Sequence, residues 1–186
     1  MPDRGEVLSG LFGAYRLAWF DPSGMAHFNL TVEGFWRSFF AAVLVAPAYA
    51  ILVGMQLAAE TEEFNLALVF LVEAIAYVLA WAAFPLVAVV LTRLLGLDRN
   101  YVALIVAVNW TAVLQTGAFL AVVLLALVLP QGLGTLVVTL TTLAILVYQW
   151  FVIRTSLQTT GGVALMLLLV DLVITTMINA GADRML

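Results

Sequence analysis

The sequence predicts an all-α polytopic membrane bundle of five transmembrane helices, preceded by an N-terminal amphipathic interfacial helix. Three observations predict it: an apolar excess, five apolar runs of spanning length, and arginines gathered on one side of those runs. Of 186 residues, 65% are hydrophobic and 10% charged, with a mean hydropathy of +1.16. A soluble globular chain is about half apolar and about a quarter charged. A domain this small has too much surface to hide the excess in a water-soluble core. A bilayer must solvate it.

Composition also excludes several chemistries. The net charge is −4, and all seven basic residues are arginines. Without lysine there is no Schiff base and no Walker-type phosphate site. The chain has no Cys and one histidine, His27, which lies in the polar N-terminal third. Disulfides are excluded, and a zinc, haem or copper site would have to be almost all carboxylate. No G-x-S-x-G or H-E-x-x-H occurs, and there is no second histidine for a triad. Glu62-Glu63 matches the glutamate pair of one intramembrane protease family, without the Arg and His residues that family requires in its spans. No basic surface suits nucleic acid. The expectation is a protein that is not an enzyme and carries no metal and no cofactor.

Residues 1–37 form a leader. Its polar and aromatic stretch is far longer than a signal n-region, so it does not read as a signal peptide. Asp3-x-x-Glu6 resembles a capping pair, and Leu8, Leu11, Phe12, Tyr15 and Trp19 recur at helical spacing. Glu6, Ser9, Gly13 and Arg16 fall on the other side. This reads as a short helix lying on the membrane surface or packed on the cytoplasmic face of the bundle, ended by the turn Asp21-Pro22-Ser23-Gly24.

Residues 38–186 form the transmembrane domain. The first span runs from about Phe39 to Leu57, between Arg37 and the acidic cluster Glu60, Glu62 and Glu63. The second, about Phe64 to Thr92, contains Glu73 and Pro85 and stops at Arg93. The third covers about Tyr101 to Leu129, the fourth about Leu133 to Ile153, and the fifth about Gly162 to Ala182 with Asp171 inside it. Each approaches or exceeds the roughly 20 residues that cross a hydrocarbon core. Pro47 and Pro85 are expected to kink their helices. Ala42, Ala46 and Ala50, Ala76 and Ala80, Ala103 and Ala107, and Gly117 and Ala121 repeat at four-residue spacing. That spacing suits close helix packing, unless alanine is merely abundant.

Five spans put Arg4, Arg16, Arg37, Arg93, Arg99 and Arg154 on one side and Arg184 on the other. The positive-inside rule makes the first side cytoplasmic and the C-terminus periplasmic, in an inner membrane. Trp19, Trp36, Trp81 and Trp150 then fall near the inner headgroups. Snorkelling arginines explain the inner interface, and Arg37, Arg93 and Arg154 are weak candidates for anionic lipid headgroups.

At about 1.5 Å per residue, Glu73 lies about 13 Å below the outer boundary, Asp171 about 14 Å above the inner one, and Asn109 at about 12 Å from the inside. All three fall near the midplane of a core of about 30 Å. With Tyr77 they form an expected buried polar cluster. It reads either as a proton or cation relay, or site for a small cation, or as a hydrogen-bonded polar plug. No internal repeat supports an inverted-repeat transporter.

Certain segments carry a resemblance: Gly34-Phe35-Trp36-Arg37-Ser38-Phe39-Phe40, Leu71-Val72-Glu73-Ala74-Ile75-Ala76-Tyr77, Asn109-Trp110, and Val147-Tyr148-Gln149-Trp150-Phe151. Over nearly its whole length the chain resembles a group of uncharacterised alphaproteobacterial inner-membrane proteins, sometimes labelled transporters. Its five-helix plan is similar to the Yip (Ypt-interacting protein) superfamily by topology alone. Neither resemblance implies catalytic residues. The expected function is a Yip-like membrane scaffold or interaction protein; the alternative is a small proton- or cation-coupled transporter or channel using the midplane carboxylates. Expected partners are the lipid bilayer and a second copy or another membrane protein, with no nucleic acid.

Overall fold

Apolar runs bounded by capping residues become helices, and the computed structural model describes residues 1–59 and 65–186 of the chain. The acidic cluster Glu60, Glu62 and Glu63, and Phe64 at the expected start of the second span, lie outside the described residues. The fold is all-α. Helix α1 covers Arg4–Ala18 and is followed by a 3-10 turn, Pro22–His27. Then come α2 (Val32–Ser38), α3 (Phe40–Ala59), α4 (Leu66–Leu94), a second 3-10 turn (Asp98–Asn100), α5 (Tyr101–Ala126), α6 (Gln131–Leu157) and α7 (Gly161–Asp183). Among the described residues, five helical stretches are long and apolar enough to cross a membrane: Val32–Ala58, which joins α2 to α3, Leu66–Leu94, Asp98–Ala126, Gln131–Leu157 and Gly161–Asp183.

Local chemistry sets the ends. The Asp3 carboxylate accepts from the Glu6 backbone N–H at 2.7 Å, so the expected cap forms. The Glu6 side chain does not return to complete a capping box; it turns to Asn29 and Arg37. Asn65 caps α4 through the N–H groups of Ala67 and Leu68, and Thr160 caps α7 through that of Val163. Helix α6 stops where Gln158 turns left-handed at φ 52°, and Gly96 (φ 68°) does the same service after α4. Helices α3 and α4 both continue through their prolines, Pro47 and Pro85.

The packing does not follow chain order. Helix α5 is the axis: it packs on α6 and α3, on α1 and α2, and more lightly on α4. Helix α7 lies between α4 and α6. From Leu104 to Thr111, α5 is buried on nearly every face, with only Val108 half-buried. Around it two cores form. Ala14, Leu17 and Phe28 of the leader pack with Ala41, Val106, Ala107, Trp110, Tyr148 and Val152. Phe84 and Ala88 of α4 pack with Leu104, Ile105, Ile153, Leu157 and the Ala164, Leu167 and Leu168 face of α7. Both cores lie in the half of the bundle that holds the α4–α5 and α6–α7 turns.

The far half is more open. Here a small buried cluster joins Val72 and Ala76 of α4 to Ala182 of α7. Of the small-residue sets, Ala76 and Ala107 are buried, Ala80, Ala103, Ala42 and Ala46 are half-buried, and Ala50 is exposed. Gly117 and Ala121 are both exposed, and a Cβ on Gly117 would meet nothing within 4 Å. Alanine abundance accounts for that pair.

Candidate functional site

Two features gather polar chemistry: the leader clamp on α5 and α6, and a cleft between α3 and α4.

The leader is held by its small residues. A Cβ on Gly10 would lie 2.6 Å from the Trp110 ring, so the indole sits directly on the α1 backbone. Gly13 and Gly24 let α1 and the following turn cross with carbonyl oxygens in contact range. The Tyr148 hydroxyl donates to the Ala14 carbonyl at 2.7 Å, and Ser9 donates to the His27 carbonyl at 2.7 Å. Leu8, Phe12, Tyr15 and Trp19 are left exposed, at 68, 49, 51 and 71%. Of the apolar stripe, Leu11 is half-buried against the core and the other four face away from the bundle, while the opposite face, Gly10, Gly13, Ala14 and Leu17, packs.

Charges fix the clamp's ends. Arg16 donates to Asp21 through Nε (2.8 Å) and Nη2 (2.5 Å). The Asp21 carboxyl is held down to about 2, first by the Ser23 hydroxyl and N–H and then by Arg16. Arg37 bridges Glu6 (2.8 Å) and Glu33 (2.5 Å). This separates Arg37 from Arg93 and Arg154, with which sequence reasoning groups it. Arg37 is occupied by two carboxylates beside the leader. Arg93 and Arg154 stand exposed at the helix ends, without an ion pair among the described residues, and the Arg154 guanidinium lies 5.5 Å from the Trp150 ring centroid.

Of the four residues expected to cluster, Glu73 and Tyr77 line one cleft between α3 and α4, while Asn109 and Asp171 are placed elsewhere. The Tyr49 hydroxyl donates to Glu73 Oε2 at 2.6 Å across α3 and α4. Tyr77 donates to the Ala42 carbonyl at 2.6 Å, one residue before the Val43 carbonyl that Pro47 deprives of its helical donor. The Tyr49 and Tyr77 rings are 4.8 Å apart. Asn109 donates instead to the buried Ser38 hydroxyl at 2.8 Å, which in turn donates to the Phe35 carbonyl. Asp171 lies half-buried on the α7 face that carries Ala164, Leu168 and Ala182, with no hydrogen-bond partner among the described residues.

Depth separates the two acids. Val72 and Ala76, which flank Glu73, pack with Ala182. Asp171 lies about 16 Å along α7 from Ala182 at 1.5 Å per residue. Glu73 and Asp171 are therefore not level. Counting residues from the edge of each apolar run misplaces them, because α4 and α7 are offset rather than flush.

Glu73 opens on a cleft of about 360 Å³ between α3 and α4, walled by Ala46, Ala50, Val53, Gly54, Val69 and Phe70. Sequence reasoning passes over Tyr49; its signal was a tyrosine in the first span at a height matching Glu73. It also passes over the pairing of Gln115 with Gln149, 2.8 Å apart between α5 and α6. Among the described residues no group of three or more His, Asp or Glu is placed to hold a metal ion. No family model matches this chain, and no curated protein or solved structure matches it either.

Proposed function

We propose that the chain is a multi-pass inner-membrane protein that works as a scaffold or interaction protein of Yip-like plan. In this reading its amphipathic leader is clamped at the cytoplasmic interface and its C-terminus is periplasmic. The observation that carries the proposal is the two-faced leader. A glycine-and-alanine face grips Trp110 and Tyr148, and the Leu8, Phe12, Tyr15, Trp19 stripe points outward. An outward aromatic stripe flanked by Arg4 and Arg16 suits the headgroup boundary, where amphipathic rings and basic residues are favoured. The leader thus presents a fixed surface to lipid or to a membrane-protein partner.

Transport along Glu73 and Asp171 has less support, because Glu73 is bonded to Tyr49 of α3 and the two carboxylates lie at different heights. The absence of native cysteine makes the leader easy to probe. A spin label on Phe12→Cys, in the full chain reconstituted in vesicles, is expected to relax faster with dissolved oxygen than with a water-soluble nickel chelate. Preferential relaxation by the chelate would put the stripe in water and remove the proposal.

A further inference from the structure

We infer that the α3–α4 cleft is a binding site for a hydrophobic monovalent cation, an amine or quaternary onium with an apolar body. The Glu73 carboxylate and the Tyr49 and Tyr77 rings would hold its charge. The inference rests on the membrane reading above, because an apolar cleft on the outside of the bundle is a lipid-side site only in a bilayer.

A carboxylate in a hydrocarbon environment is expensive unless it is paired. Glu73 receives one hydrogen bond, from Tyr49 to Oε2, and Oε1 has no protein partner among the described residues. No arginine lines the cleft, and the chain has no lysine. The protein does not supply the missing positive charge. An anion or a phospholipid phosphate would be repelled. A divalent metal needs several oxygen ligands, and one carboxylate with two phenols does not provide them.

Shape and aromatic content complete the case. The two tyrosine rings, 4.8 Å apart, line the same cleft as the carboxylate. Ring faces attract desolvated organic cations. The other walls are alanine, glycine and aliphatic side chains, and a Cβ on Gly54 would meet nothing within 4 Å. The volume lies in the range of small-molecule sites. A neutral lipid would fill the same space without using Glu73, and this difference decides the test.

The experiment is equilibrium dialysis of labelled tetraphenylphosphonium against the purified full chain in dodecyl maltoside. The expected result is saturable binding that weakens at least tenfold in Glu73→Gln and in Gly54→Leu and is unchanged in Asp171→Asn. Gly54→Leu fills the cleft with Glu73 intact, so it decides the matter if Glu73→Gln misfolds. Binding unaltered in Glu73→Gln, or full competition by neutral triphenylphosphine oxide, overturns the inference. Alkaline carbonate extraction separates the two levels. Release from membranes removes the membrane reading and the site with it. Retention with binding indifferent to Glu73 removes the site alone.

Discussion

At Gly10 the structure sets two glycine effects against each other. Replacing a helical glycine by alanine gains up to about 1 kcal/mol of helix propensity. Forcing a methyl into a filled contact costs about 1–3 kcal/mol. At Gly10 the new Cβ meets the Trp110 ring at 2.6 Å, so the second effect wins. Gly10→Ala should loosen the leader and speed trypsin cleavage after Arg16. Gly117→Ala meets open space and should leave thermal stability equal or slightly raised. Equal cleavage rates in Gly10→Ala and the parent would mean that Trp110 does not clamp α1.

Asp21 gives the residue scale a pH dependence. Its folded carboxyl titrates at about 2, below the ordinary value of 3.8. A depressed carboxyl contributes stability that is fully present above its unfolded value and is lost as pH falls through the folded one. The turn after α1 should therefore hold unchanged down to about pH 4 and weaken from there to about pH 2. The carboxyl-carbon NMR shift of Asp21 should show that midpoint, and Ser23→Ala should raise it, since Ser23 is the largest cause. A midpoint unmoved by Ser23→Ala would contradict the assignment.

At the scale of elements, most helices were legible because length and apolarity alone demand them. The fourth and fifth apolar runs reappear as α6 and α7 with their ends shifted by a few residues. The first reappears as α3, Phe40–Ala59, and a short helix, α2, leads straight into it from Val32, since Thr31 caps the Gly34 N–H and Phe35 packs against Phe39 and Tyr101. The leader's periodicity was legible, but not which face packs. Large apolar residues normally mark the buried side. Here the close approach of Trp110 and of the Gly24 backbone selects glycine at Gly10 and Gly13 beside Ala14 and Leu17, and Leu8, Phe12, Tyr15 and Trp19 turn outward. The polar cluster was the least legible part. Residue counts give a height within one helix, whereas a cluster depends on the offset between helices and on rotation about each axis. Ser38, which takes up Asn109, carries no sequence mark that distinguishes it, and Tyr49 carries only its height, which does not say that it turns toward Glu73.

For the whole molecule, the leader supplies the reference plane that the apolar runs do not. Trp110 and Tyr148, which grip α1, each lie about 14 Å from the turn-bearing ends of α5 and α6. Ser38 is level with Asn109, one residue from Trp110. Tyr49, bonded to Glu73, is about 16 Å further along α3. On the placement proposed above, which sets the leader at the cytoplasmic headgroup boundary of a core of about 30 Å, Glu73 would come to the midplane and Asp171 to the inner boundary. A proton relay would have to cross about 16 Å between them. Tightly packed Phe84, Leu104, Leu167 and Leu168 lie on the inner side of that gap. Reconstituted chain should therefore acidify dye-loaded vesicles no faster than empty ones under an imposed proton gradient, and Glu73→Gln and Asp171→Asn should leave the rate unchanged. Flux above empty vesicles that both substitutions abolish would reverse the order of the two readings: the offset between the carboxylates would then be bridged by water or by motion of α4 against α7, and transport would displace the scaffold.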